Sequence, residues 1–302
     1  ILSYSGIAYG QKEITIRIDP STARGGTASQ IFESIDFIPL ETNKESLFGT
    51  INQLEIADSL IFILDISSRS LYIFRKDGTF KIKIKSGGPD KFFGFFTVDH
   101  FDKKIIIANN FTDGVLVYDF NGGFIKKITT PDRVSSLFYM GDNNLLYFLR
   151  RKVAYTETST IKYDLNFADD NAQVKKNLHP YNTKYENGEY NVENNPINFS
   201  GEPGSCMFSM PFDYTVYQVN DTGILCTYKF IFPAESSLPN NFTTDSIYKG
   251  KRAKFVYANP ENKQKIRSIG TTFKMKNYFL FSAPNGRLNI GDDLNYMYNS
   301  VN

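Results

Sequence analysis

The chain has no tryptophan, two cysteines and two histidines in 302 residues, and its net charge is only +2. Each scarcity closes a class of function. Cys206 and Cys226 are too few to form a disulfide scaffold. With His100 and His179 distant in sequence, they also do not supply the three or four spaced ligands of a zinc site. The 34 basic and 32 acidic residues nearly cancel, and no face collects the lysines and arginines of a nucleic-acid footprint. No run approaches the roughly 20 apolar residues of a membrane-spanning helix. G-x-S-x-G, Walker, H-E-x-x-H and C-x-x-C patterns are all missing, so the sequence assigns no catalytic, cofactor-binding or metal residue. The lack of tryptophan also excludes propellers whose blades carry a Trp-Asp signature.

What the chain has in abundance is phenylalanine (27) and tyrosine (19), residues that pack well across pleated sheet. They recur in a repeat. Leu60 to Asp65, Ser70 to Phe74 and Lys76 to Phe80 form a first copy, and Lys104 to Asn109, Gly114 to Tyr118 and Phe120 to Phe124 a second. Asp65 matches Asn109, Phe74 matches Tyr118 and Gly78 matches Gly122, each 44 residues on. Short β-runs and glycine turns at such a period are the mark of propeller blades. The expected fold is all-β, a propeller of four-stranded antiparallel blades with five repeats visible.

Along the chain, Glu13 to Ile18 and Ile31 to Glu41 read as strands that close the ring by packing in the last blade. Blade one takes strands at 50–57, 60–65, 70–75 and 79–85, and blade two runs from Gly94 to Thr129. The alternation Lys81-Ile82-Lys83-Ile84-Lys85 reads as an edge strand guarded by lysine. Blade three takes Leu145 to Leu149 and Ser159 to Asp164. Blade four takes Cys206 to Pro211, Val216 to Asn220 and Ile224 to Phe230. The last repeat, Ile266 to Lys274, Tyr278 to Phe281 and Leu294 to Tyr298, lacks an outer strand. Residues 169–203 and 233–262 read as polar insertions, with a short helix near 244–254. Residues 1–10 read as a signal-peptide remnant ending in Ala8-Tyr9-Gly10, or alternatively as an ordinary loose terminus. Residues 11–302 form a single β-propeller domain.

Ile38-Pro39-Leu40-Glu41-Thr42, Ile63-Leu64-Asp65 with Tyr72-x-Phe74 and the Asp77-Gly78 turn, Gly87-Gly88-Pro89, and Phe208-x-x-Pro211-Phe212 resemble the six-bladed β-propeller proteins of the Bacteroidetes envelope, related in architecture to NHL-repeat propellers. Lys91, before Phe92, stands where that family usually carries an acid. The resemblance implies a secreted, periplasmic or cell-surface location, and a sixth blade beyond the truncated C-terminus.

Two functions follow. The first is a non-enzymatic binding or scaffold module that meets a protein or glycan partner on loops of a propeller face, without nucleic acid, cofactor or transmembrane segment. The second is a metal-dependent hydrolase or lyase, lactonase-like, with carboxylates such as Asp99 and the amide of Asn109 in the central channel. Asp58, Asp65, Asp99, Asp102, Asp119 and Asp142 all recur at strand ends, and against the hydrolase Asp65 and Asn109 occupy the same repeat position, which points to a blade-stabilising turn role. Ser86-Gly87-Gly88-Pro89 lacks the lysine and helix of a phosphate loop and reads as a crossover. Asp58-Ser59-Leu60 and Asp245-Ser246-Ile247 resemble the short O-glycosylation acceptor of this bacterial group.

Overall fold

The computed structural model describes residues 12–25, 27–30, 32–87, 93–109, 114–130, 133–142, 144–150, 163–180, 196–202, 204–276, 278–285 and 294–299. The chain divides into two compact units. One holds residues 1–20, 198–243 and 252–302; the other holds 21–197 and 244–251.

The larger unit contains three four-stranded antiparallel meanders, each built from consecutive strands. The first comprises β2 (Gln53–Ala57), β3 (Leu60–Asp65), β4 (Ser70–Arg75) and β5 (Phe80–Lys85); the second, β6 (Phe93–Asp99), β7 (Lys104–Asn109), β8 (Val115–Asp119) and β9 (Phe124–Ile128); the third, β10 (Arg133–Gly141), β11 (Asn144–Arg150), β12 (Tyr163–Asp169) and β13 (Val174–Pro180). The middle strands are predominantly apolar because both faces are covered: every residue of β3 is buried, and five of its six are apolar. Leu60, Phe62, Leu64 and Ile73 of the first sheet pack with Phe96, Val98, Ile105 and Ile107 of the second. Ile106, Val115 and Val117 of the second pack in turn with Leu137, Leu145 and Tyr147 of the third. Such face-to-face stacking of four-stranded meanders is blade packing, and the fold is an all-β propeller.

The last two strands of each meander share one turn. Gly78 donates its N–H to Arg75 O and Arg75 donates to Thr79 O; Gly122 and Asp119 repeat this with Asp119 O and Gly123 O, and Ala172 and Asp169 with Asp169 O and Gln173 O. The third of these residues is left-handed each time, at φ +88°, +81° and +59°, the geometry of a hairpin closed by a bulge. The expected Asp77-Gly78 and Asn121-Gly122 turns are thus present.

The inner strands are also tied by side chains. Gln53 Nε2 donates to Phe96 O (2.7 Å) and Gln53 Oε1 accepts the Phe96 N–H (3.0 Å). Glu55 accepts the Val98 N–H (3.2 Å), and Thr97 Oγ1 accepts the Tyr139 N–H (3.0 Å). These bonds run from β2 to β6 and from β6 to β10, one polar side chain replacing a ladder that blades do not form between them.

The smaller unit holds a sheet of order β1 (Lys12–Arg17), β17 (Gly223–Ile231), β16 (Thr215–Asn220), β15 (Ser205–Ser209) and β14 (Ile197–Phe199), and a three-stranded sheet of β18 (Thr272–Met275), β19 (Tyr278–Ala283) and β20 (Leu294–Asn299). Ile16, Met207, Tyr228 and Phe230 of the first pack against Phe279 and Phe281 of the second. Cys206 lies on the second strand and Cys226 on the fourth of the blade, as the repeat alignment places them, and both are free thiols.

Four expectations change. First, β1 does not pack in the last blade. It adds in parallel to the outer edge of β17, with Lys12 opposite Cys226 and Arg17 opposite Ile231. Second, residues 32–40 form no strand. Pro39 removes a donor there, and the ordered contact is Glu41, whose N–H donates to Gly78 O while its carboxylate accepts the Phe80 N–H. Third, the described third strand of blade three runs on to Asp169 rather than ending at Asp164, and Asp169 closes its turn as Asp119 does, 50 residues earlier. Fourth, residues 174–180, read as insertion, are the outer strand β13. An outer strand is covered on little of its surface, so its lysines and asparagine hide the alternation. Within 233–262 the helical turns are short: Ser246–Tyr248, a π-type turn at Lys254–Ala258, and Pro260–Asn262. Residues 1–10, Gly88-Pro89, Lys91-Phe92 and the 159–162 part of blade three lie outside the described residues.

Candidate functional site

The strand-end carboxylates are occupied by their own turns or by neighbouring lysines. Asp65, fully buried, accepts the Ser67 N–H (2.9 Å) and hydroxyl on one oxygen and the Gly49 N–H (2.8 Å) on the other. Burial raises its pKa, but the Ser67 hydroxyl, the Gly49 N–H and the Ser68 bonds outweigh it and hold the group at about 2, below the ordinary 3.8. Asp99 accepts the N–H groups of Phe101 and Asp102. Asp119 accepts those of Asn121 and Gly123. Asp58 pairs with Lys103 and Asp102 with Lys104, while Asp58 and Asp142 hold left-handed turn positions. Asn109 ends β7, and its side chain is outside the described residues. Among the described residues no three His, Cys, Asp or Glu side chains converge. His100 is exposed in the β6–β7 turn, and His179 sits on β13 opposite Leu165.

The insertion that begins at Pro233 builds a cavity of about 180 Å³. Its walls come from the β15–β16 turn, the end of β17 and the loop that follows. Pro233 and Pro239 each open a tight turn: Ser236 donates to Pro233 O and Phe242 to Pro239 O. The loop is then pinned from several sides, among them the Ile266 N–H and the Lys265 ammonium, which donate to Ser236 O and Ser237 O, each at 2.8 Å. The Tyr214 hydroxyl accepts the Leu238 N–H at 2.8 Å and donates to Ile266 O. Ser237 Oγ donates to Phe232 O. Arg252, with 0% exposure, donates from Nε to Phe242 O (2.8 Å) and from Nη2 to Thr243 O (3.4 Å). Burial pushes the Tyr214 hydroxyl well above its usual pKa, the Leu238 bond acting in the other direction.

Aromatic edges line the interior. Phe212 meets Phe242 edge-on at 5.8 Å, and Tyr214 meets Phe232 edge-on at 5.2 Å. Phe212 holds φ +60°. A bulky residue in the left-handed region stores roughly 1–3 kcal/mol and persists only where its surroundings fix it. Two polar groups stand at the mouth. Asp213 Oδ1 accepts the Thr215 N–H (2.9 Å), while its second oxygen has no partner among the described residues. The exposed amide of Asn240 has none there either. The cavity is smaller than the ~300 Å³ at which drug-sized ligand pockets begin. It fits one side chain or one ring of a larger partner, held by apolar walls with an acceptor and an amide at the rim.

The sequence points to this loop through its proline-bracketed insertion. It does not single out Tyr214 or Arg252, which act on residues 24 and 10 positions away.

The model of a family described as "Domain of unknown function (DUF4934)" matches residues 14–300. Among solved structures, a "putative exported protein" from Bacteroides fragilis NCTC 9343 superposes with TM-score 0.68 at 18% identity, over 95% of this chain and 80% of that one. A protein of unknown function from Bacteroides caccae gives TM-score 0.45 at 11% identity, over 80% of this chain and 74% of that one. The WD40 β-propeller domain of Doa1 gives 0.46 at 10%, over 76% and 59%. No curated protein matches the sequence.

Proposed function

This chain belongs to the DUF4934 family, and we propose that it is a secreted or envelope-attached binding module without catalytic chemistry of its own. The observation that carries this reading is the cavity of Phe212, Tyr214 and Phe242: a strained, firmly pinned, aromatic pocket with unpartnered polar groups at its rim. It receives one anchor group of a protein or glycan partner, the way a central buried group dominates many interfaces. The name of the Bacteroides fragilis neighbour and its TM-score of 0.68 support an exported propeller, and no helix among the described residues is long and apolar enough to cross a membrane. The resemblance to six-bladed, NHL-like envelope propellers supports a ring of six blades in the whole protein.

The test is a screen of the purified protein on glycan and peptide arrays, repeated with Asp213→Ala/Asn240→Ala. Binding that the double substitution abolishes supports the reading. Metal-dependent turnover of lactones or glycans by the intact protein sinks it in favour of the hydrolase.

A further inference from the structure

A second concavity, of about 530 Å³, lies where blades one and two meet, between the β2–β3 turn, the β4–β5 hairpin and the turns at Lys103 and Phe120. Arg75, Lys76, Lys81 and Lys103 line it together with Asp58 and Asp77. Four cations against two carboxylates leave two positive charges in one cleft, as much as the whole chain carries.

Both carboxylates are already engaged. Asp58 pairs with Lys103, and Asp77 accepts the Thr79 N–H (2.9 Å) and hydroxyl (2.7 Å) in its own turn. The other three cations meet no carboxylate within ion-pair distance among the described residues. Lys81 Nζ donates to the neutral Phe120 O at 2.7 Å. Arg75 makes only long contacts, 3.4 Å to Thr79 Oγ1 and 3.5 Å to Phe80 O. The Lys76 side chain is exposed and makes no hydrogen bond among the described residues, its backbone N–H donating to Ser59 O. Leu60 and Phe120 supply an apolar floor, with Lys103 Nζ 5.9 Å from the Phe120 ring centre. The exposed Ser59 hydroxyl adds a further donor at the edge.

The fold does not require these charges. Blade two repeats the same hairpin 44 residues later, with Asp119 for Arg75, Phe120 for Lys76 and Ile125 for Lys81. The turn is kept and the cations are not, so they are particular to this cleft.

We propose that the cleft binds a phosphate monoester carried on an apolar or ring-bearing body. A monoester near neutral pH carries about −1.5 to −2, which matches the two surplus charges. Arg75 presents a planar fork to its oxygens, Lys76 and Lys81 act as point charges, and the body rests on the Leu60–Phe120 floor. This site stands apart from the aromatic cavity and does not depend on it.

Calorimetric titration with phenyl phosphate tests the idea, with inorganic phosphate and benzyl alcohol as partial ligands and phosphatidic-acid vesicles as the lipid source of the same group. Phenyl phosphate binds, each partial ligand binds more weakly, and affinity falls severalfold between about 0.05 M and about 0.3 M salt. Lys76→Glu weakens binding at least about tenfold with its melting temperature unchanged, and Lys81→Met weakens it too. Lys249→Glu, the same charge change on another exposed turn, leaves it within about twofold. A soluble ester as source gives binding of phenyl phosphate alone; a lipid source adds vesicle binding that Lys76→Glu removes. Failure of both phenyl phosphate and vesicles to bind, or an equal loss in Lys249→Glu, overturns the proposal. So does full affinity in Lys76→Glu.

Discussion

The carbonyl oxygen of Pro39 lies 2.1 Å from where a β-carbon on Gly78 would stand. At Gly122, the same turn one blade later, the nearest atoms to such a carbon are side-chain ends of Ile82 and Ile84 at 3.0 and 3.3 Å. Both glycines are left-handed, so alanine at either costs about 1 kcal/mol from the backbone alone. Gly78→Ala must also displace the Pro39 segment. Denaturant unfolding is expected to show a loss of at least about 3 kcal/mol for Gly78→Ala and about 1 kcal/mol for Gly122→Ala. Equal losses would mean that the Pro39 segment yields freely.

Asp65 sets an acid limit. Its pKa lies near 2 in the folded protein, below the ordinary 3.8. Its stabilising contribution is therefore complete above about pH 4 and disappears as pH falls toward 2. Asp65→Asn removes the charge that the Ser67 and Gly49 donors serve, at a cost of about 2 kcal/mol at pH 7. The difference between the two proteins narrows as pH falls toward 2, which melting curves across that range would show.

Glu55 acts with the opposite sign. Desolvation lifts its pKa from 4.5 to about 8 against the pull of the Val98 N–H. The folded state keeps a proton that the unfolded chain releases, so the stability is full below about pH 4.5 and declines as pH rises through 8. Glu55→Gln, copying the paired amide bonds of Gln53 to Phe96, removes that decline. The variant is expected to melt higher than the parent at pH 9 and to match it near pH 5.

Arg252 closes the cavity loop from behind. Arg252→Met keeps the stem but leaves the carbonyls of Phe242 and Thr243 without its N–H groups. The expected loss is about 2–3 kcal/mol, with faster amide exchange confined to residues 234–243. Unchanged exchange there would show that the other bonds to the loop, from Tyr214, Lys265 and Ile266, hold it without Arg252.

The hairpins were legible because their signals are local: Asp77-Gly78 and Asn121-Gly122 sit between apolar runs, and the 44-residue offset checks one against the other. Blade three slipped because its turn residue is Ala172, at φ +59°, where a reader expects glycine, and because β13 is a lysine-bearing outer strand. Asp65 was legible as a turn residue because it shares a register with Asn109, and its carboxylate takes the Ser67 and Gly49 N–H bonds of such a turn. The aromatic cavity was legible only as an insertion. Its pins, Tyr214 to Leu238 and Arg252 to Phe242, are tertiary contacts that follow no period. Parallel docking of β1 on β17 was equally hidden, since Glu13 to Ile18 alternates like any edge strand.

The docking of β1 has a consequence in time. Lys12 pairs with Cys226, 214 residues later. At about 5–20 residues per second of synthesis, the first strand waits roughly 10–40 seconds for its partner, while β2 to β13 have all their own neighbours. Contacts this distant close late, so the outer seam of that blade forms after β2 to β13 have met their neighbours, and a chain threaded from its N-terminus carries β1 unpaired until then.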